Sequence, residues 1–342
     1  MESPKAKRIT IADVSEASGM SKAAVSMILN NKPGTRLSAE ATERVRAAAK
    51  KLGYRPNAAA QSLRSGKTRT LGFISDQVTV TRFASEMITG ILRAAEERGH
   101  TVLIAETFGK PEQMAEAITQ MTHRDVDGLI LGFMDSRQRD LRIPKTGLPT
   151  VLVNGLDDSP CVAVLPNEMD SGAKAVQRVI ESGAKSVAVI GELENAEKDP
   201  RTYPSISRRF GSLRRALAES NLEVLGHWVL DDWNPTDGYE ATIRMLADGY
   251  NPDAIICAND RVAMGVFQAL AENGLKPGTD LSVLSFDDEI IASYLRPQLT
   301  SIRLPYEGMG ALAVELLLDG KLEPGEHQID MPLIERESMK SR

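Results

Sequence analysis

The patterns that most often carry catalysis are missing from this 342-residue chain: there is no Walker loop, no G-x-G-x-x-G, no H-E-x-x-H and no C-x-x-C pair. Its four histidines, His100, His123, His227 and His327, are scattered without metal-ligand spacing. An enzyme, a metal site or a bound cofactor is therefore not expected, and the chemistry left is that of binding. One kind is electrostatic. Residues 1–68 hold 13 Lys and Arg against 5 Asp and Glu, whereas the remainder holds 28 against 42. A basic head on an acidic body suits a head that meets a polyanion, although a small basic terminus is also what a soluble tail looks like. The other kind lies just beyond short apolar runs, at Ser75-Asp76, Asn154, Asn259 and Asp287, and at Arg82-Phe83, which open the helix after the first run. Carboxylate and guanidinium grip vicinal hydroxyls through charge-assisted bonds, and an aromatic ring covers an apolar sugar face. Asn and Asp after strands also cap helices, so Asn259 and Asp287 taken singly fit either role.

The elements that would position these residues are legible from caps and periodicity. Thr10 with Asp13 reads as an N-cap and its acidic partner, opening a helix with Ile11, Val14 and Ala17 on one face; Gly19 ends it. Ser21 caps a second helix from Lys22 to about Leu29, with Val25, Ile28 and Leu29 inward. Ser38 caps a third, which carries Glu40 and Glu43 early and Lys50 and Lys51 late, and Gly53 closes it. Two short helices around a glycine turn, braced by a third, make a helix-turn-helix head. Beyond it, buried parallel strands are predicted at 71–74, 102–104, 129–131 and 151–153, and again at 187–190, 254–257 and 283–286. Gly99, Gly183 and Gly274 read as C′ glycines of the intervening helices. The fold class is thus an all-α head followed by an α/β body of two doubly wound parallel-sheet lobes. Ligands of such sheets bind beyond the C-terminal strand ends, in the crevice between lobes.

Several runs closely resemble the lactose-repressor (LacI/GalR) family of bacterial regulators. They are residues 10–14, 19–26, 29–30 and 52–57 in the head, 58–64 after it, and 126–130, 258–260, 285–288 and 297–301 in the body. The resemblance spans nearly the whole chain. It implies a helix-turn-helix domain at 1–56, a hinge at 57–68, and a body at 69–342 built like periplasmic sugar-binding proteins. In that reading the N-lobe holds about 69–165 and 297–323 and the C-lobe about 166–296 and 324–342, with crossings near Pro166, Arg296 and Pro324.

The family also assigns roles. Lys22, Ala23 and Met27 occupy base-reading positions of a helix that enters the major groove, while Thr10, Ser21, Ser26, Asn30 and Tyr54 suit contacts around them, mostly to phosphate or sugar. Ala24 and Met27 depart from the common Thr and Arg, and losing a forked Arg removes a bidentate guanine partner, so the operator should differ from the family's commonest half-site. Met27 as a core methionine is the alternative. The segment Asn57–Leu63 lacks an apolar face for an isolated helix. In the family it folds when two copies pair on DNA, with Asn57, Ala60 and Gln61 against the duplex and Leu63 wedged into a minor-groove step; a flexible linker is the plainer reading. In the body, Arg209 matches the family's ligand arginine, and with Trp233 it joins Ser75, Asp76, Arg82, Phe83, Asn154, Asn259 and Asp287 in one ring. The implied effector is a sugar, polyol or sugar derivative, with a nucleobase as the alternative.

Composition sets the remaining expectations. With 42% apolar and 26% charged residues the chain has material for a packed core, and no run approaches a membrane span. The N-terminus does not read as a secretory signal, and Cys161 and Cys257 read as reduced core thiols, so the expected compartment is the cytoplasm, and a free periplasmic binding protein is the rival reading. Paired half-sites imply a homodimer on palindromic double-stranded operator DNA. The last residues hold no leucine heptads, so no tetramerising coiled coil is expected.

Overall fold

Thr10 begins the head as the sequence predicts. Its Oγ1 accepts from the Asp13 amide at 3.4 Å, and its own amide donates to Asp13 Oδ2 at 2.7 Å, a reciprocal capping box. Helix α1 (Ile11–Ser18) ends at Gly19, whose φ of 66° lies in the left-handed region that glycine occupies without penalty. Ser21 Oγ caps α2 (Lys22–Leu29) through the Ala24 amide, and Ser38 Oγ caps α3 (Ala39–Leu52) through the Ala41 amide. These caps satisfy amides that a helix start leaves without intrahelical partners. Val14, Val25, Ile28, Val45 and Ala49 form the small core, with Tyr54 packed against it.

This is a computed structural model, and it describes residues 9–30, 37–54, 62, 66–76, 83–133, 143, 147–157, 159–193 and 204–340. Asn57, Ala60, Gln61, Leu63 and Arg82, and the side chain of Phe83, lie outside the described residues. The chain divides into two units, Met1–Thr68 and Arg69–Arg342.

The second unit holds two six-stranded sheets. In the first, β1 (Thr70–Ser75), β2 (Thr101–Glu106), β3 (Gly128–Gly132), β4 (Thr150–Val153), β5 (Val162–Pro166) and β11 (Gly325–Ile329) run parallel in the order β11-β5-β4-β3-β1-β2. The second has the order β12-β10-β9-β8-β6-β7, from β6 (Ser186–Leu193), β7 (Glu223–Leu230), β8 (Ala254–Cys257), β9 (Ser282–Asp287), β10 (Thr300–Arg303) and β12 (Leu333–Ile334). It is parallel except for the β10–β12 pair. Helices α4 (Phe83–Glu97), α5 (Pro111–His123) and α11 (Tyr306–Asp319) pack on the first sheet, and α6 (Glu168–Glu181), α7 (Pro204–Glu219), α8 (Pro235–Ala247), α9 (Asp260–Glu272) and α10 (Ile290–Tyr294) belong with the second. Helices α4 and α11 meet closely because Gly90 has no Cβ; one there would stand 1.9 Å from the Glu307 carbonyl oxygen. All seven predicted strands are present, and Gly99, Gly183 and Gly274 have the positive φ expected of C′ glycines.

Two expectations need correction. Strand β2 is an edge rather than a buried strand, with Ile104 44% exposed. The lobe crossings also shift. The first is at Pro166–Asn167 as expected, but β10 still pairs with β9 in the C-lobe sheet, so the second crossing comes after Arg303 and not near Arg296. Strand β11 pairs with β5 in the N-lobe sheet, so the third lies at 330–332 rather than near Pro324. The short strands β10 and β11 carry too few apolar residues to announce their sheet, and cross-strand hydrogen bonding assigns them. Among the described residues no helix is long and apolar enough to cross a membrane.

Candidate functional site

On α2 the buried face is Ala24, Val25 and Ile28, which turns Lys22, Ala23, Ser26, Met27 and Asn30 to the other side. The spacing 22, 26, 30 and 23, 27 gathers them on one helix face. Lys22 and Ala23 are exposed; Met27 is half-buried and outside the head's core cluster as described. Asn30 Nδ2 donates to the Ser26 carbonyl at 2.6 Å and to Ser26 Oγ at 3.3 Å, fixing both polar side chains on this face. Thr10 and Ser21 use their hydroxyls to cap α1 and α2, and Tyr54 packs against the head's core.

The body's charged residues converge on Arg209, which is 3% exposed. Its Nε and Nη2 take both oxygens of Glu168 at 2.7–3.2 Å, Nη1 donates to the Ala258 carbonyl at 2.8 Å, and Nη2 reaches Asp287 Oδ1 at 3.3 Å. Each partner arrives by a different route. Glu168 opens α6 immediately after the first crossing, Ala258 follows β8, and Asp287 ends β9. Trp233 Nε1 donates to the Gly191 carbonyl of β6 at 2.6 Å. Gly191, two residues short of the end of β6, and Ala258, just after β8, lie where the C-lobe strand order reverses, the place where open parallel sheets form a ligand crevice. A Cβ on Gly191 would stand 2.4 Å from that of Ala258, so only glycine lets the two strand ends approach. The guanidinium lies 4.6 Å from the Phe286 ring centre and 5.9 Å from that of Trp233, within cation–π range.

Burial and charge act against each other here. Burial disfavours the Arg209 cation, but Glu168 and Asp287 more than offset it, so the guanidinium stays charged. Burial pushes the Asp287 carboxyl up to about 7, while Arg209 pulls it down. Asp260 is pushed up to about 8 by burial, then by Asp287, against the hydrogen bonds from Ser285, Ser301 and the Glu289 amide. Burial likewise raises Tyr306, the first residue of α11, with Asp287, Arg209 and Glu168 all within electrostatic reach. The backbone is strained where these groups gather: Asp287 and Asp288 have φ of 97° and 55°, and Asn154 has 59°.

The structure therefore brings Arg209, Asp287 and Trp233 together. Asn154 joins through Ser205, whose Oγ lies 3.5 Å from Asn154 Oδ1, while Asn154 Nδ2 donates to the Phe133 carbonyl. Asn259 takes the helix-capping role left open for it: Oδ1 accepts from the Val262 amide at 2.8 Å, and only its neighbour Ala258 touches Arg209 in the described hydrogen bonds. Ser75 and Asp76 lie buried at the end of β1, at the N-lobe's own strand-order reversal, and the Ser75 hydroxyl has no hydrogen-bond partner among the described residues. Glu168, Phe286 and Tyr306 were not foreseen. An acidic residue at a helix start reads as a dipole partner and a phenylalanine in a strand as core, so nothing local distinguishes them.

A profile of bacterial regulatory proteins of the lacI family matches residues 10–57, and one of a periplasmic binding protein-like domain matches 176–339. The chain is 31% identical over 325 residues to an HTH-type transcriptional repressor, PurR, of Vibrio campbellii, covering 93% of each. It is 30% identical over 336 residues to the ribose operon repressor of Escherichia coli K12, covering 96% of each. Among solved structures it superposes on a lac repressor dimer bound to operator and the anti-inducer ONPF with a TM-score of 0.78, at 24% identity, over 98% of this chain and all of that one. With full-length relatives at this identity, the chain belongs to the lacI family of bacterial regulatory proteins, as a DNA-binding transcriptional repressor.

Proposed function

We propose that this repressor binds a palindromic operator as a homodimer in the cytoplasm and is switched by a sugar, polyol or sugar derivative held between the lobes. The observation that carries the effector reading is the Glu168–Arg209–Asp287 network beside Phe286 and Trp233 at the C-lobe switch point. It combines charged acceptors and donors for hydroxyl groups with flat apolar faces for ring carbons. In this reading Ser75, Asp76, Asn154 and Asn259 line the same cleft, together with Arg82 and Phe83. The repressor of a ribose operon among the relatives supports the same ligand class. On the head, Lys22, Ala23 and Met27 read bases, with Ser26 and Asn30 beside them; Asn57, Ala60, Gln61 and Leu63 form the hinge.

The dimer would need apolar surface to cover, and the body exposes some. Leu92 on α4 and Ile104 on β2 stand out on the N-lobe, and Ile290 and Tyr294 of α10 on the C-lobe. An apolar groove of about 570 Å³, lined by Met264, Phe267, Leu275, Leu295 and Pro297 among others, lies beside α10.

A thermal-shift panel of neutral sugars, polyols and nucleosides on the full chain tests the effector, because a ligand of the native state raises its midpoint. A polyhydroxylated hit should lose about ten- to a hundredfold in affinity in Asp287→Asn, in line with roughly 1.5–3 kcal/mol for a charged hydrogen bond, while effector-free operator binding persists. A nucleoside hit would replace the sugar reading, and unchanged affinity in Asp287→Asn would remove that residue from the site.

A further inference from the structure

Helix α7 carries two arginines in succession and sends them to different lobes. Arg209 enters the C-lobe network, whereas Arg208 donates from Nη1 to Glu326 Oε2 at 2.9 Å and from Nη2 to Glu326 Oε1 at 2.8 Å. Glu326 sits on β11, the outer strand of the N-lobe sheet, in register with Ala163 of β5. Helix α7 packs on α6 and belongs to the C-lobe. The contact is therefore a two-pronged ion pair across the lobes, separate from the covalent crossings.

The same turn makes a second contact across the lobes, from Ser205 Oγ to Asn154 Oδ1 at the end of β4. One residue further along than Arg208, Arg209 locks onto Glu168, Ala258 and Asp287. Ser212 Oγ then donates to the Glu168 carbonyl and accepts from the Gly172 amide, both at 3.0 Å, fixing α7 against α6. The first three turns of α7 thus act as a bracket, with Ser205 and Arg208 on the N-lobe and Arg209 and Ser212 on the C-lobe. A forked guanidinium on a carboxylate constrains orientation as well as distance, which a lysine would not do. The hydrogen bonds from Arg208 hold the Glu326 carboxyl below its ordinary range.

We propose that Arg208 and Glu326 are positioning residues, an inter-lobe clasp that holds α7 across the cleft and sets the lobe arrangement in which Arg209 and Asn154 face one site. The consequence for regulation rests on the cleft being the effector site; the clasp itself is a statement about the lobes. Both side chains are partly exposed, at 25% and 36%, so the clasp biases the lobe equilibrium without being needed for folding.

Inter-lobe distances measured by pulsed electron spin resonance on the full chain test this without any ligand. Spin labels at Glu116→Cys on α5 and Glu240→Cys on α8 report the two lobes, in a Cys161→Ser background that leaves Cys257 in place because it is fully buried. Labelled chain is diluted with excess unlabelled chain, so that distances within one chain dominate. The wild-type clasp should give one narrow distribution. Arg208→Met and Glu326→Gln should each enlarge a second population several-fold, Arg208→Lys should fall between, and the exchanged pair Arg208→Glu with Glu326→Arg should return toward wild type. Because Arg208→Lys and the exchanged pair keep both charges, they separate loss of the clasp from a folding defect. Single variants with the wild-type distribution, or an exchanged pair worse than either single, would overturn the clasp. Neither result depends on whether the sugar and polyol panel finds a binder.

Discussion

Arg209 is held by two carboxylates, so its buried charge is compensated by the chain's own residues. Such a network is costly to break from one side. Removing one member of a buried ion pair leaves a desolvated charge without its partner, which costs about 3–5 kcal/mol. Glu168 is 1% exposed and provides both oxygens to Arg209, so Glu168→Ala should destabilise the body by about that amount. Urea unfolding measures it, and a loss below about 1 kcal/mol would mean that water or Asp287 replaces the carboxylate. The two arginines of α7 show how far neighbouring identical residues diverge once a helix fixes their directions: one is a buried ion in the C-lobe and the other a half-exposed contact to the N-lobe.

At the scale of elements, α2 is a short helix whose two sides have different tasks. Val25 and Ile28 pack it into the head's core, and the Ser21 cap fixes where it starts. The far face is then presented in a set rotation, as a helix reading the major groove requires. Lys22 and Ala23, both exposed in its first turn, should set base preference. Exchanging them, as Lys22→Ala with Ala23→Lys, should change the consensus that the protein selects from a random DNA pool while the head stays folded. An unchanged consensus would move specificity to Met27, Asn30 or the hinge.

At the scale of the whole molecule, the body concentrates buried acid groups where its strands end. Asp260 and Asp287 have carboxyl groups raised to about 8 and about 7, principally by burial. The unfolded chain releases these protons near pH 4, so folding takes protons up between about pH 4 and 8. That contribution is complete below the unfolded value and is lost as pH rises through the folded ones. The lowered carboxyl groups of Glu192, Asp253 and Glu326 are ionised throughout the upper part of this window and add no slope there. Melting of the full chain should therefore occur at a lower temperature at about pH 8.5 than at about pH 5.5, and Asp260→Asn should flatten the difference. An equal slope in Asp260→Asn would place the titration elsewhere.

What the sequence determined alone was local. Caps at Thr10, Ser21 and Ser38, the glycine stops and seven apolar strands all follow from hydrogen bonding and periodicity within a few residues, and each appears where those rules put it. The convergence of Arg209, Asp287 and Trp233 was available only through resemblance. The tertiary structure decided what depends on distant partners: that Asn259 caps α9, that β10 and β11 belong to opposite lobes, and that Glu168, Phe286 and Tyr306 surround Arg209. Glu168 and Arg209 are 41 positions apart and Arg209 and Asp287 are 78. At such separations the partner of a charge is chosen by how sheets and helices stack, because a carboxylate or guanidinium carries no local signal of the charge it will meet once buried.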